Sequence, residues 1–183
     1  MLHGGNPQRE LRLTSLLDGS TRTIWSELGS EPRMLGLRWE QGEIQILFAQ
    51  SDHLYIRDVP TGEDRLIATL PRTAYCAAWS SDGALVAAWV PGRCVRGFEY
   101  FGRCASLSTD TPSALRQYTL HLIDATSGGA PQQIGQGNFL VAGNAGADER
   151  PMDIVFSPDG RRIAYLYYQS KFPGPLLYVI DLP

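Results

Sequence analysis

The sequence of 183 residues lacks several features that mark particular classes of protein. No apolar run approaches the roughly 18 residues that a membrane-spanning helix needs. The first ten residues contain no apolar segment of the kind found in signal peptides. A net charge of −3 gives no general attraction to nucleic acids or acidic membranes. We therefore expect neither nucleic-acid binding nor membrane insertion.

Short catalytic and phosphate-binding motifs are missing as well. The sequence contains no Gly-x-Ser-x-Gly, no His-Glu-x-x-His and no Gly-x-x-x-x-Gly-Lys-Ser/Thr. Its three histidines, His3, His53 and His121, are far apart in sequence, and no set of four metal ligands stands out around the cysteines. We expect a protein that is not an enzyme, with no catalytic residues, no cofactor and no metal.

Glycine and proline, in contrast, are abundant, with 19 and 12 residues. Together with an ordinary apolar fraction of 43%, they are typical of a globular domain built from short strands and turns. The length suits one domain, residues 1–183, with its own core.

One pattern occurs twice. It reads Ala-Trp-Ser-Ser-Asp-Gly-Ala-Leu-Val-Ala at 78–87 and Val-Phe-Ser-Pro-Asp-Gly-Arg-Arg-Ile-Ala at 155–164. In each copy an apolar strand leads into a tight turn and a second apolar strand. Ser157-Pro158-Asp159-Gly160 has the residue preferences of a type I turn. A degenerate copy with a shortened turn surrounds Trp39.

Each of the three copies, the degenerate one included, is followed by a third strand that ends in Asp. After the copies around Trp39 and Trp79, a shorter fourth strand follows. The third strands are predicted at 53–58, 118–124 and 176–181, and the fourth strands at 65–68 and 132–134. Residues 11–25 match the third and fourth strands alone. The predicted order is therefore two strands, four strands, four strands with an insertion, and three strands.

Antiparallel four-stranded units in tandem are the blades of β-propellers. The predicted fold class is all-β, with about three propeller blades. A β-sandwich is the alternative, because sandwiches also combine regular strands with turns. It does not account for the in-phase repetition of the whole unit.

The two decapeptides, followed after the second by Leu177-Tyr178-Val179-Ile180-Asp181, resemble the WD-like repeats of TolB-type β-propellers. The resemblance covers most of residues 11–183, although the Trp-Asp dipeptide of true WD repeats is absent. It implies a scaffold that binds a protein or peptide partner, and it gives no residue a catalytic role. Similar blades occur in prolyl-oligopeptidase-type serine peptidases, so the alternative is the propeller part of a larger enzyme. Reading the gene beyond Pro183 for Gly-x-Ser-x-Gly would distinguish the two.

Three blades fall short of the four to eight that close a propeller. Either the chain is a fragment of a longer propeller, or two copies form a six-bladed ring by twofold symmetry. The strand at 176–180 counts against the dimer, because it would compete with residues 11–17 for one place in the shared blade. Both interpretations stay open.

An insertion at 91–115, predicted as a loop, separates the second and third strands of the second full unit. Arginine and aromatic residues, which often anchor protein interfaces, alternate along it. The candidate partner-binding residues are Arg93, Arg96, Phe98, Tyr100, Phe101 and Arg103. The alternative is a decorated hairpin whose aromatic residues pack on its own blade.

Cys94 and Cys104 bracket the insertion. A disulfide between them would fit a periplasmic or other extracytoplasmic protein. Otherwise both are free thiols and the location is cytoplasmic. Cys76 lies in a predicted inner strand and is expected to act as a small buried apolar residue.

Overall fold

The computed structural model describes residues 8–28, 32–40, 42–100, 103–105, 114–141, 150–168 and 175–182. They form fifteen β-strands and no helix, so this part of the chain contains no helix that could cross a membrane. The strands are β1 (Gln8–Thr14), β2 (Thr21–Leu28), β3 (Arg33–Glu40), β4 (Glu43–Gln50), β5 (His53–Asp58), β6 (Asp64–Thr69), β7 (Cys76–Trp79), β8 (Leu85–Arg96), β9 (Phe98–Tyr100), β10 (Arg103–Ala105), β11 (Ala114–Asp124), β12 (Gln132–Val141), β13 (Arg150–Phe156), β14 (Arg162–Tyr168) and β15 (Pro175–Asp181).

The strands form antiparallel sheets in the predicted order. β1 and β2 make an N-terminal hairpin, and β3-β4-β5-β6 make the first sheet. The second sheet has the order β7-β8-β11-β12, and the third has β13-β14-β15. β9 and β10 form a separate insertion hairpin. The all-β fold and the tandem four-stranded units are confirmed.

The two copies of the repeated turn form the same hydrogen bonds. In each, the Ser hydroxyl accepts the amide N–H five residues on, from Leu85 to Ser80 and from Arg162 to Ser157, both at 2.9 Å. The same hydroxyl donates to the Asp two residues ahead, which holds the pKa of both Asp carboxyls below their usual value. The Gly at the fourth position has a positive φ in both copies. The motif thus encodes one local structure, as the sequence predicts.

Consecutive rim turns also touch each other. The Ser81 hydroxyl donates to the carbonyl oxygen of Pro158 at 2.8 Å. The Arg38 guanidinium of the first sheet lies 5.4 Å above the Trp79 ring and next to the α-carbon of Gly83. These contacts keep the turns of successive sheets along one rim.

This rim contact predicts unequal effects of one substitution at two equivalent glycines. Gly83→Ala and Gly160→Ala both force alanine into a positive φ, near 70°, which costs about 1–2 kcal/mol. A methyl group at Gly160 meets open space, whereas at Gly83 it overlaps Arg38 and displaces that guanidinium from Trp79. We expect Gly83→Ala to lower the free energy of unfolding by about 0.5–1 kcal/mol more than Gly160→Ala. Urea unfolding of both variants measures the difference, and equal losses would mean that Arg38 contributes nothing here.

Apolar clusters fill the spaces between consecutive sheets. Each sheet has a rear face, toward the preceding part of the chain, and a front face, toward the following part. The buried members include Trp25, Ile46 and Phe48 between the N-terminal hairpin and the first sheet; Leu54, Ile56, Val86, Ala88 and Ile123 between the first and second sheets; and Ala87, Trp89, Leu120, Phe156 and Ile163 between the second and third. The core therefore consists of face-to-face junctions between sheets.

The first strands of the three sheets are neighbours, because β7 lies beside both β3 and β13. The sheets consequently fan out from a common inner edge. At the outer edge of the second sheet, the fourth strand is longer than the predicted 132–134, because β12 continues through Gly135-Gln136-Gly137 to Val141. Gly135 and Gly137 pair with Leu120 and Tyr118 of β11, whose length supplies hydrogen-bond partners beyond the short fourth strand that the sequence suggests.

Candidate functional site

The described residues of the insertion, 91–100, 103–105 and 114–115, are in strands apart from Gly97, and do not form the predicted loop. β8 continues through Pro91 to Arg96, and β11 already begins at Ala114. Between them the insertion hairpin, β9–β10, adds two three-residue strands. The described part of the insertion therefore consists of an extension of the second sheet and a second small hairpin.

Proline and glycine in β8 made this extension hard to predict. Pro91 pairs with Tyr118 next to a register shift in β11, and proline is tolerated at such irregularities because one ladder hydrogen bond is already missing. Gly92 allows close approach, since a β-carbon there would lie 3.0 Å from the carbonyl oxygen of Gln117. Beyond the shift the pairing resumes, with Cys94 opposite Arg116 and Arg96 opposite Leu115.

A three-residue ion cluster ties the insertion hairpin to the body of the protein. Glu99 of β9 accepts hydrogen bonds from the guanidinium of Arg72, which lies between β6 and β7. Arg116 of β11 approaches the same carboxylate, with Nη2 at 3.7 Å from Oε1. The hydrogen bond from Arg72 is the main cause that lowers the pKa of Glu99. Because Arg72 precedes the second sheet and Arg116 belongs to it, the cluster holds the hairpin from two sides.

Sequence reasoning did not single out Arg72, Glu99 or Arg116. The signal was present, because Glu99 is the one acidic residue between Arg93 and Arg103. A lone carboxylate among arginines indicates an ion pair that organises the segment.

The cysteines occupy different environments. Cys94 is disulfide-bonded, whereas Cys76 is a free thiol. Burial raises the pKa of Cys76 to about 12, so this thiol stays protonated and unreactive at neutral pH. The backbone of Cys104 lies in β10, opposite Glu99. Its side chain is outside the described part of the structure, and the pairing of Cys94 with Cys104 stays a prediction.

Five of the six candidate partner-binding residues lie on the extension and the insertion hairpin. The Arg93 side chain is exposed in β8, and Val95 beside it is 45% exposed. The backbone places Arg96 at the end of β8, Phe98 and Tyr100 in β9, and Arg103 in β10 opposite Tyr100. Phe101 and the side chains of these four residues are outside the described part. Their role in binding stays a prediction.

The described histidines occupy positions explained by packing and local pairing. His121 is buried between the first and second sheets, where its Nε2 lies 2.9 Å from the Thr119 hydroxyl and burial lowers its pKa. His53 pairs through Nδ1 with the adjacent Asp52 at 2.6 Å, and this hydrogen bond is the main cause that lowers the Asp52 pKa. Among the described residues, no three His, Cys, Asp or Glu side chains are close enough to hold a metal ion.

Comparisons with known proteins identify the fold. No family model matches the sequence, and no curated protein matches it. Hydrazine synthase from Kuenenia stuttgartiensis superposes with a TM-score of 0.53 at 14% identity, over 95% of this chain and 45% of that one. The tricorn protease structure gives 0.45 at 14% identity, over 92% of this chain and 15% of that one. Hydrazine synthase, the match with the TM-score above 0.5, contains a β-propeller domain. The fold is of the propeller-blade type. The sheets are hereafter called blades, and this chain spans less than half of either structure.

Proposed function

We propose that this chain is a non-enzymatic propeller module that binds a protein or peptide partner through the insertion in its second blade. The observation that carries the proposal is the cluster of Glu99 with Arg72 and Arg116, which anchors the insertion hairpin to the second blade. A fixed hairpin loses little conformational freedom on binding, and this saving favours affinity.

The composition of the insertion fits the same role. Arginine and large aromatic residues are enriched among the side chains that dominate interface energies. The extension carries Arg93 and the partly exposed Val95, and β9 contains Phe98 and Tyr100, which Phe101 follows in the sequence. The resemblance of the repeat to TolB-type propellers, which implies protein or peptide binding, supports the same partner class.

Partner capture followed by affinity measurement tests the proposal. The wild-type chain is used as bait, and the affinity of each purified partner is compared with that of a variant carrying Phe98→Ala, Tyr100→Ala and Phe101→Ala. Loss of aromatic anchors worth about 2 kcal/mol or more is expected to weaken binding at least thirtyfold. The matched control carries Leu16→Ala and Leu17→Ala at the fully exposed tip of the N-terminal hairpin, and it should bind like wild type.

A further variant separates contact from positioning. Glu99→Gln keeps the aromatic and arginine residues but removes the charge that anchors the insertion hairpin, so we expect weaker binding with a faster dissociation rate and an unchanged far-UV spectrum. Equal affinity of wild type and the triple variant for every captured partner would overturn the proposal.

A further inference from the structure

Two apolar surfaces, one on the first blade and one on the third, are exposed to solvent. On the rear face of the first blade, β3 exposes Met34, Leu37 and Trp39, with Trp39 at 68%. On the front face of the third blade, Val155, Leu177 and Val179 are between 55% and 67% exposed. Contiguous exposed apolar surface of this kind marks an interaction site. We name these two sets the rear patch and the front patch.

The pairing of strands assigns each patch to its face. Leu37 lies opposite Ile46, and Met34 lies opposite Phe48, both of which pack toward the N-terminal hairpin. Val155, Ala164 and Val179 form one row across β13, β14 and β15. The neighbouring row, with Phe156 and Ile163, packs on the second blade, so the row of Val155 faces away from it.

The repeat shows what covers equivalent positions elsewhere in the chain. Trp39 is equivalent to Trp79 and Phe156, and both of those pack against the preceding blade. Leu177 is equivalent to Leu120 in the third strand of the second blade, and Leu120 is fully buried against the third blade. Within the chain, residues on the front face of one blade therefore pack on the equivalent rear-face residues of the next blade.

Two positions in an internal junction indicate how the two patches would meet. Ala78 of the front face and Ile154 of the rear face belong to the cluster between the second and third blades. Their equivalents at the ends of the arc are Val155 in the front patch and Leu37 in the rear patch. The rear patch also continues an existing interface, because the same face of the first blade already receives Trp25 through Phe48.

We propose that the front patch of one copy packs on the rear patch of a second copy, and that two such junctions close a six-bladed ring. A second copy fits because its two ends carry the same apolar sets that already pack together inside the chain. Two identical head-to-tail junctions related by a twofold axis leave neither patch exposed.

In each blade shared between the two copies, the third strand position beside β14 could be occupied by β15 of the same copy or by β1 of the other copy. β15 is paired with β14 along all seven of its residues, whereas the N-terminal hairpin rests on the small cluster around Trp25. We therefore expect β15 to keep this position and the N-terminal hairpin to be displaced from the first blade when two copies associate. Hydrogen exchange in β1 and β2 is expected to become faster as the protein concentration rises.

Complementary charges test the head-to-tail geometry. Light scattering of wild type, loaded at about 100 μM so that micromolar association is visible, should give the mass of two copies. Leu37→Glu and Val155→Lys, both at exposed positions, should each give the mass of one copy with an unchanged far-UV spectrum. An equimolar mixture of the two variants should recover the dimer, because one junction then pairs Glu with Lys and the other is wild type.

Other outcomes would overturn the proposal. A wild-type chain that stays at the mass of one copy, or that forms assemblies larger than two, excludes the closed dimer. Dimers that persist in Val155→Lys alone, or a mixture that stays monomeric, exclude contact between the two patches. Trp39→Ala adds a test without a charge, since removing a central aromatic side chain should weaken dimerisation at least tenfold.

Discussion

Trp89→Ala is expected to lower the free energy of unfolding by about 3–5 kcal/mol, the range found for truncation of buried aromatic residues. Trp89 is 1% exposed in β8, and its ring meets Tyr165 of the third blade edge-on at a centroid distance of 5.1 Å. It lies opposite Leu120 of β11. The substitution opens a cavity in the junction that joins the second and third blades.

The matched control for this prediction is Trp39→Ala. The same side chain is removed from an inner strand of the neighbouring blade, but from a position that is largely exposed. In protein dilute enough to stay monomeric, its effect should lie within about 0.5 kcal/mol of wild type. Urea unfolding followed by far-UV circular dichroism compares the three proteins without relying on tryptophan fluorescence. A loss in Trp89→Ala as small as in Trp39→Ala would contradict the packing of this junction.

Trp25→Ala is expected to detach the N-terminal hairpin while the rest of the chain stays folded. Trp25 packs at a centroid distance of 4.7 Å from Phe48, and the Arg57 guanidinium lies 4.6 Å above its ring. An isolated two-stranded hairpin is at best marginally stable, so β1 and β2 depend on this contact. Removing about 3 kcal/mol should speed amide exchange in both strands about a hundredfold.

Hydrogen exchange with mass spectrometry resolves this local effect. Peptides from β1 and β2 should lose protection in Trp25→Ala, whereas peptides from the second and third blades should exchange as in wild type. In protein dilute enough to stay monomeric, Trp39→Ala again serves as the control, because it removes an indole from the rear face of the first blade without removing a member of the cluster around Trp25. Exchange that becomes faster by the same factor in peptides of all three blades would contradict an independent hairpin, because it would mean that the chain opens as one unit.

The repeated motif was sufficient to predict most of the fold. The Ser-x-Asp-Gly turns fixed the phase of the first and second strands, and the aspartates at Asp58, Asp124 and Asp181 fixed the end of each third strand. These features are local: a turn residue or a strand end acts through its own backbone, so sequence spacing reveals it. The incomplete sets of two strands at the start and three at the end followed from the same phase.

The insertion was predicted less well because its structure depends on partners distant in sequence. Pro91 and Gly92 indicate a loop locally, yet β11 supplies a continuing ladder from residues 19 to 27 positions further along the chain. The anchoring of Glu99 by Arg72 depends on a residue from the preceding connection. Composition correctly located the interruption but could not determine that strands continue through it.

The hydrogen bond between rim turns has a direction. Ser81 contributes a side-chain hydroxyl, whereas Pro158, at the equivalent position of the next turn, contributes only its backbone carbonyl oxygen. Every residue type carries that acceptor, so a turn can accept this hydrogen bond whatever its sequence. Only a turn with a hydroxyl side chain at this position can donate one to the neighbouring turn. Tandem duplication of such a unit would thus extend the arc without compensating changes in the recipient. A turn that has proline in place of the serine, as at 158, lacks the hydroxyl that would donate to a further turn. Hydrogen bonds of this kind therefore run in one direction along the rim.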